Sequence, residues 1–281
     1  HPLWVYLSSL AGSDALLTLT IALSVLAAMA LAERPTWWRA FLLALAIGVG
    51  ASTKLSPLAM SVPLAGLGAA YLVWAWRNRG RDRLRVAALG WRLLPQPIVA
   101  YAVFVVSYPY LWPDPIGRTL TLFRFRAKEM ANQGAIWSEL NVTGPADALS
   151  RIGVWLGGGD TTTGRLANAA LNGFGVNWQS PGVDLPLAVA GGIVLMALVI
   201  RHGLASRHAL AAVILGGQVA LIVVGMRADF ARYLLPVVLT EAVCIGVLGG
   251  EAWAAVREWV ARRGSAMPAD ANPAEPAARA S

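Results

Sequence analysis

Apolar windows recur along this chain at a length that a lipid bilayer imposes. They run from Asp14 to Ala32, Ala40 to Thr53, Pro57 to Trp76, Leu93 to Tyr108, Leu185 to Ile200, Ala209 to Met226 and Tyr233 to Gly250. A helix crosses the hydrocarbon core with about 20 residues and rarely with fewer than about 17. The second and fourth windows are the weakest of the seven, and they are expected to tilt or to extend into their flanks. In lipid every backbone N–H and C=O must be satisfied within the segment, which leaves helices as the economical solution for runs of this length. The expected fold class is therefore all-α: a polytopic transmembrane helical bundle of about seven spans with one long extracytoplasmic segment.

Composition narrows the function classes. Of 281 residues, 57% are hydrophobic and only 14% charged, with a mean hydropathy of +0.58, well outside the range of soluble domains. The twelve Trp gather near the ends of apolar runs, where indole rings sit at headgroup level. A formal charge of +8 is what a nucleic-acid binder carries, yet most of the Arg lie in short links between spans. That is a topology signal, and no nucleic-acid partner is expected. The single Cys244 lies inside an apolar window, which excludes a disulfide framework or a cysteine metal cluster. The chain opens at His1 without an initiator Met or a basic leader, so sequence upstream of it is expected.

Lys and Arg in short links set the orientation. The link after the third window carries Arg77, Arg79, Arg81, Arg83, Arg85 and Arg92, which marks that side as cytoplasmic. By alternation, the links ERPTWWR and RHGLASRH and the segment AVREWVARR fall on the same side, and all are basic. Lys54, the stretch from Tyr108 to Asp184 and the link MRADFAR then face the extracytoplasmic side. The chain divides into helices 1 to 4 over residues 1–108, an extracytoplasmic segment over 109–184, helices 5 to 7 with their cytoplasmic end over 185–263, and a disordered Ala- and Pro-rich tail over 264–281.

Within the extracytoplasmic segment, Ile116, Leu120, Phe123, Ala127 and Met130 recur at helical spacing while Arg118, Arg124, Arg126 and Lys128 take other positions. This predicts an amphipathic helix that either lies on the outer leaflet or caps the bundle. GGGDTTTG at 157–164 lacks the Gly-Lys-Ser/Thr ending of a phosphate-binding loop and reads as a flexible loop. Asn141-Val142-Thr143 is a glycosylation sequon on the matching side, a triplet common by chance. No internal repeat and no inverted pair of broken helices is evident.

Polar residues at the span ends carry the chemistry. Leu42 to Pro63 is an apolar run interrupted by Gly48, Gly50, Ser52, Thr53 and the lone charge Lys54. An ammonium at such depth costs roughly 3 kcal/mol on insertion scales and marks a functional position, unless its long stem snorkels to the interface. Asp14 opens the first window, and Arg227, Asp229, Arg232 and Tyr233 stand between the last two. All face the extracytoplasmic side, where an ammonium and guanidiniums suit an anionic lipid headgroup. A carboxylate beside them suits a general base or a divalent metal ligand. Each has a plain structural role as well: Asp14 favours the positive end of a helix dipole, and Arg232 with Tyr233 makes an interfacial anchor.

GSDALLTLTIALSVLAAMALAER, LALAIGVGASTKLSPLAMSVPLA, YPYLWPDPIGRTLTLFRF and ARYLLPVVL together resemble successive segments of the GT-C glycosyltransferases related to protein O-mannosyltransferases, and in particular the bacterial phospholipid-carrier-dependent members. The resemblance covers most of Leu10 to Met130 and returns at Arg227 to Leu239. It implies an integral membrane enzyme of protein glycosylation type that moves a sugar from a polyprenyl-phosphate carrier to an acceptor protein, lipid or glycan outside the cytoplasm, with inversion. It further implies Asp14 as a catalytic residue at the outer face. Lys54 and Arg232 are placed near the carrier phosphate, and Arg227 and Tyr233 join them as candidate substrate-binding residues. Members of that family carry their principal acid in an Asp-Glu or Asp-Asp pair of the first outer loop, upstream of anything present here, so the chain is expected to be a fragment or an altered variant. A divalent metal is a possible cofactor, and membrane lipids are expected partners. A transporter or flippase for a polyprenyl-linked or amphipathic substrate is the rival reading.

Overall fold

The computed structural model describes residues 13–80, 82–157, 172–175 and 184–265. Six helices in it are long and apolar enough to cross a membrane, and no strand occurs among the described residues. The chain is an all-α, membrane-spanning helical bundle. Its helices are α1 (Ser13–Glu33), α2 (Trp37–Thr53), α3 (Ser56–Arg77), α4 (Arg83–Leu93), α5 (Gln96–Ser107), α6 (Pro115–Ile136), α7 (Pro145–Gly157), α8 (Asp184–His202), α9 (Arg207–Gly225) and α10 (Leu235–Ser265).

Helix α1 is apolar all round, as a buried or lipid-facing helix must be. Leu17, Ile21, Val25, Ala28 and Leu31 form its buried stripe, while Leu16, Leu19, Leu23 and Leu26 are exposed on the other side. Large exposed leucines on a helix of this length fit a surface that meets acyl chains. Its hydroxyls are satisfied locally: Thr18, Thr20 and Ser24 donate to the carbonyls of Asp14, Leu17 and Thr20, so they carry no unmet polar demand into the core. The stripe packs against α2, α9 and α10.

Two expected boundaries shift. The second window becomes α2, a 17-residue apolar helix shorter than the six full spans. It begins at Trp37, because Thr36 caps it by accepting from the Arg39 N–H. The fourth window, expected from Leu93, begins earlier. Residues Arg83 to Leu93, read as a connecting link, are helical and continue past a turn at Leu94 and Pro95 into α5, so that Arg83–Ser107 spans as a 25-residue unit. Pro95 and Pro97 lack the N–H that would carry the ladder through, and the buried Gln96 braces the break by donating to the carbonyls of Ala40 at 3.0 Å and Arg92 at 3.1 Å.

Helix contacts are made close by small residues, as in membrane bundles generally. A Cβ on Gly48 would stand 2.6 Å from the Ala100 carbonyl oxygen of α5. At Gly191 of α8 a Cβ would run into the carbonyl of Cys244 in α10.

The alternation of ends follows the expected one. Asp14, Lys54, Ser107 and Tyr233 gather at one end. At the other, Glu33 pairs with Arg207 at 3.2 Å, Arg85 donates to the Ala32 carbonyl at 2.9 Å, and the Tyr71 hydroxyl donates to the Leu204 carbonyl.

The segment between α5 and α8 is built on the bundle. Asp114 caps α6, its Oδ1 accepting from the Gly117 N–H at 3.0 Å. The expected amphipathic helix is present and serves as a roof. Tyr101 of α5 bonds Thr119 at 3.2 Å, and the Tyr233 hydroxyl donates to Gln133 at 3.1 Å, while Ile116, Leu120 and Phe125 stay exposed. Helix α7 buries Ala148, Ile152 and Leu156 against Met226, Leu234, Val237 and Val238, which joins the segment to the bundle in one core. An isolated antiparallel bridge pairs Asn141 with Ala228. The GGGDTTTG loop beyond Gly157 and the tail beyond Ser265 lie outside the described residues.

Candidate functional site

Lys54 is placed by the way α2 ends. Its N–H bonds the Gly50 carbonyl at 3.1 Å and its backbone turns extended, while Thr53 donates to the same carbonyl at 2.7 Å. Pro57 in the first turn of α3 then restarts the helix where a missing N–H does no harm. The ammonium therefore leaves a tight turn at the end of the bundle and meets the Asp14 carboxylate at the first turn of α1. Both side chains are largely buried, 15% and 14% exposed.

Tyr233 presents its ring face to Lys54, with Nζ 4.8 Å from the centroid. Cation–π attraction grows as water is excluded, which holds here. The tyrosine hydroxyl is fixed by Gln133 of α6, so roof and bundle meet across it. The Arg232 guanidinium stacks beside Phe230 and Tyr233, 5.1 and 5.4 Å from their centroids.

Asp14, Lys54 and Tyr233 stand at the mouth of a pocket of about 400 Å³ between α1, α3, α6, α9 and the start of α10. Below the mouth the walls are Leu17, Ala59, Leu221, Ile222 and Pro236, and the roof adds Phe123, Arg126, Ala127 and Met130. Three cationic heads, Lys54, Arg126 and Arg232, meet two carboxylates, Asp14 and Glu129, the latter paired with Arg126. A half-enclosed, mainly apolar cavity with surplus positive charge at its rim fits an amphiphile with an anionic head.

Of the residues singled out from the sequence, Asp14, Lys54 and Tyr233 line this pocket. Arg232 lies beside the mouth and is exposed. Arg227 is exposed, and its carbonyl accepts from the Val142 N–H at 3.0 Å, so its backbone serves the bridge to the roof segment. Asp229 serves the same join: it accepts from Trp155 Nε1 at 2.8 Å and pairs with Arg151 at 3.4 Å. Arg151 also bonds Asp147 at 3.0 Å and the Asn141 carbonyl at 2.9 Å. The Thr143 N–H and the Arg151 guanidinium hold the Asp147 carboxyl below the usual carboxylate range.

Arg126, Gln133 and Gln218 were not among the candidates. The signal for Arg126 was its phase: Phe123, Arg126, Ala127 and Met130 are spaced as one helical face. Gln218, a single amide in a long apolar window, carried no periodic cue. No group of three or more His, Cys, Asp or Glu among the described residues is placed to hold a metal ion. Asp14 faces an ammonium instead of a second carboxylate, which does not fit the divalent ion expected as a possible cofactor. A larger cavity of about 850 Å³ lies at the opposite end beside Tyr71, Arg85 and His208. Two of its charged groups are already engaged, Arg207 with Glu33 and Arg85 with the Ala32 carbonyl.

Comparison with protein-family models, with curated proteins and with solved structures finds no match to this chain.

Proposed function

We propose that the chain is a membrane glycosyltransferase, or the C-terminal part of one, which transfers a sugar from a polyprenyl-phosphate carrier to an acceptor on the extracytoplasmic face. The observation that carries this reading is the convergence of Asp14, Lys54, Arg126 and Tyr233 at the rim of one apolar pocket. An isoprenoid tail suits the walls, and a phosphate suits the rim. When the carrier phosphate arrives, Lys54 exchanges its bond to Asp14 for one to a phosphate oxygen. Arg126 does the same from Glu129.

In the transfer itself an acceptor hydroxyl oxygen bonds the anomeric carbon of the sugar while the bond from that carbon to the lipid-phosphate oxygen breaks. The electron pair leaves with the phosphate, where Lys54 and Arg126 stabilise the growing charge. Asp14, released from Lys54, stands at the same rim and takes the acceptor proton. Single attack from the face opposite the leaving group inverts the anomeric centre.

The test is transfer of radiolabelled sugar from polyprenyl phosphate in membranes expressing the natural gene. Lys54→Ala and Asp14→Asn are each expected to lower transfer at least tenfold with the protein still inserted. Wild-type rates in both variants would remove these residues from the site.

A further inference from the structure

The cavity of about 850 Å³ at the Arg-rich end has no task in the transfer just described. Its charged residues stand where the spans end. Glu33 is the last residue of α1, Asp82 directly precedes α4, Arg85 lies in the first turn of α4, and Arg207 opens α9. Membrane spans end at headgroup level. On α3 the cavity is lined by Ala70 and Leu67, seven and ten residues before the end of that helix at Arg77, or about 10 and 15 Å along its axis. The polar zone of a leaflet is only about 5–8 Å thick, so this part of the wall lies at the level of acyl chains. The cavity is a charged crown over an apolar shaft, with the exposed Trp74 and Leu204 at its edge.

The crown carries both signs. Arg207 and Glu33 pair at 3.2 Å with side chains 52% and 53% exposed. An ion pair so open to water adds little to stability and exchanges partners at small cost. Arg85 gives one N–H to the Ala32 carbonyl, one of the five donors of a guanidinium. Asp82 occupies the position that caps a helix, yet its side chain makes no capping bond and is exposed. Two carboxylates and two guanidiniums thus line one cavity. A ligand of single sign is attracted by one pair and repelled by the other. A headgroup with a phosphate and a primary ammonium a few bonds apart satisfies both.

We propose that this cavity holds an ethanolamine glycerophospholipid of the leaflet at that end, its phosphate on Arg85 and Arg207, its ammonium on Glu33 and Asp82, and its acyl chains along Ala70 and Leu67. The site is separate from the rim at Lys54 and independent of sugar transfer.

The experiment titrates the purified full chain in detergent with dioleoyl phosphatidylethanolamine, phosphatidylglycerol and phosphatidylcholine, and with water-soluble glycerophosphoethanolamine. Binding is followed by competition against an acyl-labelled fluorescent phosphatidylethanolamine at pH 8, where imidazole is neutral and His202 and His208 in the wall leave the charge balance to the four ionised groups. The ethanolamine lipid is expected to bind about tenfold more tightly than the other two lipids, the effect of one charge-assisted hydrogen bond. The soluble headgroup is expected to bind at least a hundredfold more weakly than the lipid, because it leaves the apolar shaft empty. Glu33→Gln with Asp82→Asn is expected to bring phosphatidylethanolamine to the level of phosphatidylglycerol. Ala70→Trp, at an exposed position of the shaft, is expected to weaken phosphatidylethanolamine binding at least tenfold. Equal binding of the three lipids by the wild type overturns the inference, whether or not the variants fold. So does an ethanolamine preference that survives in the double variant, or binding that Ala70→Trp leaves intact. A soluble headgroup that binds as tightly as the lipid overturns it in favour of a water-borne ligand.

Discussion

At the scale of single residues, Lys54 serves stability before it serves any ligand. An ion pair removed from water is costly to half-remove, because the remaining charge keeps its burial and loses its partner. Lys54→Met is therefore expected to destabilise the protein by about 3 kcal/mol, at the lower end of the range for breaking such pairs. Lys54→Met combined with Asp14→Asn is expected to recover most of that loss, read from unfolding midpoints in a denaturing-detergent titration. A double variant no more stable than the single one would show that Asp14 is not the charge left stranded. Asp147 gives a second residue-scale prediction with a definite sign. Its carboxyl titrates below its ordinary value of 3.8, held there by the Thr143 N–H and Arg151. Its contribution to holding α7 is thus complete above that value and is lost as the pH falls through the lowered one. Hydrogen exchange corrected for intrinsic rates is expected to show α7 amides opening more at pH 3 than at pH 6. Asp147→Asn is expected to flatten that difference.

At the scale of helices, the close approach of α8 and α10 gives a paired test. Gly191→Ala places a methyl against the Cys244 carbonyl and is expected to destabilise by about 1–3 kcal/mol. Gly192→Ala meets only the Cys244 sulfur at 3.9 Å and is expected to be near neutral, with both read from thermal unfolding. Similar midpoints for the two would mean that the helices separate freely there. The helices were largely legible in the sequence because a bilayer imposes a length that apolar windows report directly. Windows fail where structure outruns hydropathy. Helix α4 carries Arg83, Arg85 and Arg92, which hid its continuity with α5. Helix α10 runs on through Glu251, Arg257 and Arg263, because charge ends a hydropathy window without ending a helix. The site was legible in part. Asp14, Lys54 and Tyr233 announced themselves as polar residues at apolar ends, and alternation of spans put them together. Arg126 was assigned to the wrong face of its helix for this purpose. Gln218 was silent, since a single amide in a long apolar window carries no periodic signal.

At the scale of the whole molecule, the roof and the bundle are joined by a few polar contacts around one small core. Arg151, Trp155 and Asp229 fasten α7 to the link before α10, whereas α6 is held chiefly by Tyr101 and Tyr233. Tyr233→Phe keeps the ring over Lys54 and removes the bond to Gln133. It is expected to raise protease sensitivity within α6 while leaving that of α7 unchanged, as read by fragment mapping after limited digestion. Equal sensitivity of the two helices would mean that the roof moves as one piece. The length of α10 has a practical consequence. Its 31 residues extend about 46 Å, roughly 16 Å more than a hydrocarbon core needs. The last turns carry Trp253, Trp259, Arg257, Arg262 and Arg263, all exposed, and continue the helix past its apolar stretch as a stiff rod. A fluorescent or enzymatic reporter fused beyond Ser265 would ride on that rod without crowding the bundle. Its compartment would read out directly which side of the membrane the Arg-rich end faces, and with it the side on which Lys54 waits.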